Sequence, residues 1–349
     1  MSVLHRVPLP PGSAPLVAPG QHVQADQVLA TRRAPGRPIG VPVAAPLRRA
    51  PAAAAACMTA RPGVTLGSGE VLARDDKGHE VNAPVAGLLL GYDADDGSAL
   101  LAPLGPSQPV VGHVRGEVVS VSADAIEVRV PAAMLSGVGG SGQAVHGELL
   151  VAVREPGDEL RAGAITVEAT GRIVVGGSRA SAETLTRARA MGVAGIVLGG
   201  VLDKELRDFE AIQRRRREVG IGGDLAILLV EGFGKVGFDP GLFAWFQAQS
   251  GRLGSLFGTD GRLYVYDADP APMRAVLPRA GDRVLAHRRP FAGQGGRLLR
   301  VLDGLHAVPS GIAARAGMVR FEDGRVATVP LANLEAVGET VGPDVADGA

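Results

Sequence analysis

The chain has 349 residues, which at about 100 to 200 residues per domain predicts two to four domains. Its 36 basic and 36 acidic side chains cancel, which excludes recognition of nucleic acid or membrane through overall charge. Gly and Pro are abundant, at 50 and 25 residues, while 46% of the chain is hydrophobic. This combination is typical of many short elements joined by turns and excludes a disordered chain.

The sequence predicts no metal and no cofactor. Its single cysteine, Cys57, cannot form an internal disulfide, and the seven histidines do not stand with it at zinc-ligand spacing. No apolar run has the length of a signal peptide or a membrane span. We therefore expect a cytoplasmic protein without a membrane partner, and the oligomeric state is left open.

Residues 1–110 alternate short apolar runs with Gly and Pro, which predicts a β domain of short strands. Within it, residues 32–63 are rich in Arg, Ala and Pro without a sustained period, which predicts a long inserted loop. Residues 111–170 form a second β-rich segment, in which 117–130 predicts a hairpin around Ala123-Asp124.

The pattern changes at Arg172. Apolar runs at 173–177, 194–200 and 225–230 alternate with helical patterns that begin at Ser181, at Leu202 and near Gly241. Three strand-helix units in series predict a small parallel α/β domain over residues 171–277. Trp245 and Phe246 are expected in the core of its last helix.

Residues 278–338 return to short apolar runs with turns and predict a small five-stranded barrel, followed by a frayed tail at 339–349. The expected fold class is therefore multi-domain α/β plus β, with β-barrel-like modules flanking a small parallel α/β sheet.

The N-terminal stretch carries two related half-motifs, Val17-Ala-Pro-Gly20-Gln-His-Val23 and Glu80-Val-Asn-Ala-Pro84-Val-Ala-Gly87. They resemble the biotinyl/lipoyl-like barrel-sandwich hybrid, in which a lysine at a hairpin tip carries the prosthetic group. Asp76-Lys77-Gly78 is similar to that turn, but Lys77 stands one residue closer to the following Ala-Pro pair than in the carrier pattern. We therefore predict an unmodified Lys77 and a structural module.

The C-terminal stretch contains Gly281-Asp-Arg-Val and Arg289-Pro-Phe291-Ala-Gly293-Gln-Gly-Gly296. It resembles the KOW-type SH3-like barrels of transcription and ribosomal proteins. The resemblance implies contact with RNA, with RNA polymerase or with another protein. The candidate nucleic-acid residues are Arg283, Arg288, Arg289, Phe291 and Arg297, with Phe291 as the aromatic that could stack on a base.

Each predicted parallel strand ends in glycines, which can expose backbone N–H groups to an anion at the carboxyl ends of the strands. The favoured alternative is that these glycines only permit the sharp strand-to-helix turns. The candidate ligand residues are Gly176, Gly177, Ser178, Ser181, Gly199, Gly200, Glu231, Gly234 and Lys235.

Gly137-Val-Gly-Gly-Ser-Gly142 matches the letters of a dinucleotide fingerprint, but the residues that follow predict a strand and not a helix. A flexible loop is the favoured interpretation. No Ser-His-Asp order or P-loop predicts a reaction, so the catalytic residues are unknown.

Three functions stay open at this point. The leading hypothesis is a non-catalytic multi-module adaptor that acts through a protein partner and binds a small anion at the α/β strand ends. The second is an RNA- or transcription-associated protein that acts through the C-terminal barrel. The third is an enzyme, or a carrier component of one, that uses the glycine-lined crevice or Lys77.

Overall fold

The structure of the protein, a computed structural model, describes residues 2–10, 12–220, 225–272, 277–307 and 313–337. Strands account for 42% of it and helices for 15%, so the protein is β-rich and built from several sheets. Contacts divide it into an N-terminal unit (Leu4–Gly112 and Gly116–Arg129) and a C-terminal unit that contains His113–Arg115 and the chain from Val130 onward. No helix in the described ranges has both the length and the apolar composition needed to cross a bilayer.

The N-terminal unit consists of short strands in several sheets. The strands are β1 (Val3–Pro8), β2 (Ser13–Pro15), β3 (His22–Val23), β4 (Val28–Pro35), β5 (Ile39–Pro42), β6 (Thr65–Leu66), β7 (Val71–Arg74), β8 (Glu80–Asn82), β9 (Gly87–Asp93), β10 (Ser98–Val111), β11 (Gly116–Val121) and β12 (Ala125–Val130). One sheet has the order β1-β12-β11-β3, and a second has the order β2-β4-β10-β9-β6 with β5 beside β10. The remaining pair is the β7–β8 hairpin, and β11 and β12 pair antiparallel as the sequence predicts.

Residues 32–63, for which the sequence predicts a long inserted loop, contain regular elements. They contain the end of β4, all of β5, and a short helix, α1 (Pro51–Ala54), followed by a 3-10 turn at Ala55–Cys57. β5 pairs antiparallel with β10, and Val43, Leu47 and Ala54 belong to the buried core of this unit. Small side chains packed in very short elements leave no sustained apolar period, which is why the sequence shows none.

The C-terminal unit begins with a large mixed sheet. Its elements up to residue 266 are β13 (Ala132–Ser136), β14 (Gly139–Ser141), β15 (Ala144–Val151), β16 (Glu159–Leu160), β17 (Ile173–Val175), β18 (Arg179–Ala180), α2 (Ala182–Ala190), β19 (Gly195–Leu198), α3 (Asp203–Glu218), β20 (Ala226–Leu229), α4 (Pro240–Ala248), β21 (Leu253–Phe257) and β22 (Arg262–Tyr266), with 3-10 turns at Ala162–Ala164 and Val167–Ala169. The predicted segment 111–170 therefore contributes strands to both units.

The remaining elements are β23 (Arg283–Ala286), β24 (Gly295–Val301), β25 (His306–Ala307), β26 (Ala313–Ala314), β27 (Ala316–Phe321), β28 (Val326–Pro330), a 3-10 turn at Leu331–Asn333, and β29 (Leu334–Ala336). Within the described chain, ten strands form one sheet of order β13-β22-β21-β15-β17-β19-β20-β14-β26-β25. A second sheet has the order β28-β27-β24-β23-β29, and β16 pairs with β18. The predicted segment 278–338 thus supplies its own sheet and two strands of the large one. The predicted tail, 339–349, lies outside the described residues.

Parallel strands form the centre of the large sheet. β15, β17, β19 and β20 run parallel in adjacent positions, with α2 and α3 in the crossovers. The predicted parallel series β17, β19 and β20 is confirmed, and the Ser181 side chain caps α2 by accepting a hydrogen bond from the Thr184 N–H. Both faces of the strands are covered, one with α2 and α3 and the other with α4, where Phe246 is fully buried.

Residues 139–141 are a buried strand, so the prediction of a flexible loop is wrong. β14 lies between β20 and β26 in the large sheet. A Cβ at Gly140 would stand 2.4 Å from the Gly258 carbonyl oxygen and 2.7 Å from that of Ile227. Glycine is therefore required here by the close approach of two main chains, and not by loop flexibility or by a dinucleotide.

We predict that Gly140→Ala lowers the free energy of unfolding by about 1–3 kcal/mol, because its methyl group would overlap main-chain atoms that cannot rotate away. Urea unfolding of the full chain measures this change. Gly157→Ala is the matched control, since a Cβ at Gly157 would meet no atom within 4 Å. Equal stability of the two variants would show that β14 is not packed as described.

Candidate functional site

The backbone amides at the ends of β17, β19 and β20 are already hydrogen bonded. The Ser178 N–H donates to the Asp158 carbonyl at 2.6 Å, and the Gly199 N–H donates to the Gly177 carbonyl at 2.9 Å. Five further N–H groups also donate to backbone carbonyls: Gly176 to Val197, Gly200 to Ser178, Glu231 and Gly232 to Gly199, and Gly234 to Val201. These amides are therefore not free to bind an anion.

The space beside the glycines is filled by main chain. A Cβ at Gly177 would stand 2.0 Å from the Asp158 carbonyl oxygen, and one at Gly199 would stand 2.2 Å from that of Val236. Ser178 is only 1% exposed, and its hydroxyl donates to the Asp158 carbonyl. These contacts indicate that the glycines allow close packing of the main chain. The open crevice of free amides that the sequence predicts is absent at these positions.

The other predicted ligand residues have separate tasks. Ser181 caps α2, the Glu231 carboxylate accepts a hydrogen bond from the Asp239 N–H, and Lys235 is exposed. No observation in the described chain brings these three side chains to one ligand.

Two helix N-termini already hold carboxylates of the chain itself. Oε2 of Glu205, on α3, accepts a hydrogen bond of 2.6 Å from the Ala182 N–H in the first turn of α2. Oδ1 of Asp239 accepts hydrogen bonds from the Gly241 and Leu242 N–H groups at the start of α4. Carboxylates stabilise the positive end of a helix. The N-termini of α2 and α4 are therefore already occupied by carboxylates of the chain itself.

Lys77 lies at the exposed tip of the β7–β8 hairpin. The turn is fixed by Asp75, whose carboxylate accepts hydrogen bonds from the N–H groups of Lys77 and His79 and contacts the His79 ring at 2.9 Å. The hydrogen bond with the His79 ring, together with the two backbone bonds, lowers the pKa of Asp75 to about 2. The lysine is thus presented on a turn whose shape is set by the hydrogen bonds of Asp75.

Arginines occupy adjacent positions on the outer face of the C-terminal sheet. Arg297 on β24 pairs with Arg283 on β23 at one side and with Arg320 on β27 at the other, and all three are exposed. Since neighbouring strands lie about 4.8 Å apart, the row spans about 10 Å. We call these three residues the arginine row.

Few carboxylates balance this row. Arg283 lies 3.7 Å from the exposed Glu322 carboxylate, whereas Arg297 and Arg320 form no ion pair with any described residue. Arg300, which pairs with Met318 on the same face, donates through Nε to the Met318 sulfur at 3.0 Å. Residues 278–337 contain nine arginines and five carboxylates, so this segment has a formal charge of +4 in a chain that is neutral overall.

The other predicted nucleic-acid residues lie in the turn between β23 and β24. Arg288 and Arg289 are exposed. Phe291 is stacked on Phe321 with a centroid distance of 4.6 Å, and the Arg325 guanidinium lies 5.9 Å from its ring centroid. Phe291 therefore packs against the core of this sheet, and its predicted role as a base-stacking aromatic is not supported by these contacts.

A second polar cluster, which the sequence does not reveal, surrounds the segment His113–Arg115. The Nδ1 atoms of His113 and His146 are 3.3 Å apart, so one ring donates a hydrogen bond and the other accepts it. The Arg115 N–H donates to the Tyr266 hydroxyl, which also bonds to Ser255, and the Arg115 guanidinium pairs with Asp267. Ser255 is fully buried, so this cluster holds the segment and offers no accessible nucleophile.

His113 makes the cluster sensitive to pH. Burial, and to a smaller extent the His146 ring, lower the pKa of His113. The folded protein therefore binds fewer protons at this group than the unfolded chain does, and the resulting stability is present above pH 6.5 and lost as the pH falls below it.

We predict that His113→Asn weakens this loss of stability between about pH 7 and pH 5, which urea unfolding at a series of pH values measures. Asn tolerates the left-handed backbone of residue 113, whose φ is 52°, so the variant removes the titrating ring without straining the chain. His22→Asn, at an exposed histidine, should keep the wild-type profile. An unchanged profile in His113→Asn would contradict the assignment.

We also predict that Lys77 carries no lipoyl or biotinyl group, because the turn is one residue shorter than the carrier pattern. The intact mass of the protein purified from its native host should equal the mass of the polypeptide. An added mass that disappears in Lys77→Arg would reverse this prediction.

A comparison with protein-family models and with curated proteins found no match to this chain.

Proposed function

We propose that this protein is a non-catalytic, multi-module adaptor whose C-terminal sheet binds the phosphate backbone of a nucleic acid. The observation that carries the proposal is the arginine row. Like charges placed directly opposite each other on neighbouring strands destabilise a sheet. A bound polyanion would remove this repulsion, because each guanidinium can form paired hydrogen bonds with a phosphate.

The arrangement of the strands supports an SH3-like barrel for this sheet. Its last strand, β29, returns to pair antiparallel with its first strand, β23, and the buried residues of all five strands form one cluster. The motif around Gly281–Gly296 resembles the KOW type of this barrel, whose members contact RNA or RNA polymerase. We likewise assign the N-terminal unit to the barrel-sandwich hybrid type, with the β7–β8 hairpin as its lysine turn.

The contacts favour recognition of the phosphate backbone over recognition of bases. Phe291 is engaged with Phe321, so the predicted stacking aromatic is occupied. Phosphate contacts carry no direct sequence information. We therefore expect weak binding that tolerates changes in sequence and depends strongly on salt.

We predict that the full chain binds a labelled oligouridylate of about 12 nucleotides with a log–log salt slope near −2, since three arginines each contribute about −0.7. Arg297→Gln combined with Arg320→Gln should reduce the slope by about 1.4. Fluorescence anisotropy between about 50 and 200 mM salt measures both slopes. A DNA oligonucleotide should give a similar slope, because the contacts are to phosphate.

Arg37→Gln is the control, since Arg37 is an exposed arginine of the N-terminal unit and its loss should leave the slope unchanged. The double variant should fold at least as stably as the wild type, because the repulsion within the row is removed. Absence of oligonucleotide binding at about 50 mM salt would overturn the proposal and favour an acidic protein partner on the same face.

A further inference from the structure

A cavity of about 410 Å³ lies after the end of β15. The residues that line it are Ala152, Val153, Arg154, Asp158, Glu159, Arg161, Gly163 and Ala164. Its volume falls in the range of about 300–1,000 Å³ that is common for small-molecule sites. It also lies beyond the carboxyl end of a strand in the parallel part of the sheet, which is where open α/β sheets bind their ligands.

The wall of the cavity is fixed in place before any ligand binds. The Asp158 carboxylate accepts hydrogen bonds from the N–H groups of Arg154 and Glu155, which closes the turn. The Asp158 carbonyl accepts from the N–H and the hydroxyl of Ser178, and the Pro156 carbonyl accepts from the Phe238 N–H. The main chain that seals the strand end at Gly177 therefore forms one side of the cavity, and little ordering is needed on binding.

The lining carries more unbalanced positive charge than negative charge. The Glu159 carboxylate pairs with Arg179 at 3.0 Å, and Asp158 is held by the two backbone N–H groups. The guanidinium groups of Arg154 and Arg161 are exposed and have no hydrogen bond or ion pair with any described residue. Ala152, Val153 and Ala164 add an apolar floor that packs against the core.

We propose that this cavity binds a small organic anion, a carboxylate or a phosphate ester, whose charged group is held by Arg154 and Arg161 and whose apolar part contacts Ala152, Val153 and Ala164. Guanidinium groups bind both oxyanions through paired hydrogen bonds. The proposal is independent of the C-terminal sheet, because it uses none of the same residues.

The test uses four probes that share one apolar part: butyl phosphate, butyrate, butylammonium and butanol. Saturation-transfer NMR on the full chain should show binding of the two anions and much weaker signals for butylammonium and butanol. The relative affinities of butyl phosphate and butyrate then decide between a phosphate and a carboxylate ligand. Equal signals from the four probes, or no signal at millimolar concentration, would overturn the proposal.

Substitutions that remove or reverse the charge of Arg154 and Arg161 test whether the anions bind in this cavity. Arg154→Gln and Arg161→Gln should each weaken binding of the preferred anion about tenfold, as loss of one charge-assisted contact implies. Arg154→Glu combined with Arg161→Glu should reverse the preference toward butylammonium. Arg61→Glu, at an exposed arginine of the N-terminal unit, should have no effect, and urea unfolding checks that each variant is folded.

Binding should persist in Arg297→Gln combined with Arg320→Gln, which separates this cavity from the arginine row. If that variant loses the anions and the cavity variants retain them, the binding belongs to the C-terminal sheet and the cavity proposal is wrong.

Discussion

The large sheet depends on main-chain segments that approach each other more closely than a side chain would allow. At Gly140 and at Gly177 an added Cβ would stand 2.4 Å and 2.0 Å from a carbonyl oxygen, so only glycine allows the neighbouring segments to pack there. The same approach lets the carbonyls of Asp158 and Gly199 accept the amides at the strand ends. Close packing thus removes the anion site that free amides would form and fixes the wall of the neighbouring cavity.

Charge is distributed unevenly although the chain is neutral. Several carboxylates form structural hydrogen bonds or ion pairs: Glu205 and Asp239 at helix starts, Asp75 and Asp158 in turns, and Glu159 with Arg179. The C-terminal segment has few carboxylates for its arginines, and one of them, Asp323, is paired with Arg325, which lowers the Asp323 pKa and raises that of Arg325. The net charge of zero therefore does not predict the local electrostatic potential at a site where an anion would bind.

The elements that the sequence predicts correctly are those with strong local signals. β17, β19 and β20 are uninterrupted apolar runs, and α2 begins at a capping serine. β14 has no such signal, because its glycines are extended only through pairing with β20 and β26. The arginine row could be predicted only in part: Arg283 and Arg297 are candidates from the sequence, but Arg320 joins them through strand register, which the bulge between Leu298 and Arg300 shifts. The sequence does not predict the role of Glu205, because this residue of α3 accepts its hydrogen bond from Ala182 on α2.

The two basic features differ in shape, and this difference determines which anions suit each of them. The arginine row lies on the exposed face of a sheet, with one arginine on each of three neighbouring strands, so it can contact several charges of an extended ligand at once and cannot enclose a small one. The cavity after β15 places two exposed guanidinium groups beside apolar side chains that pack against the core, so it suits one small ligand with a charged group and an apolar part. Contacts to an extended polyanion on an exposed face are screened by salt. We therefore propose different ligands for the two features: an extended polyanion for the arginine row and one small anion for the cavity after β15.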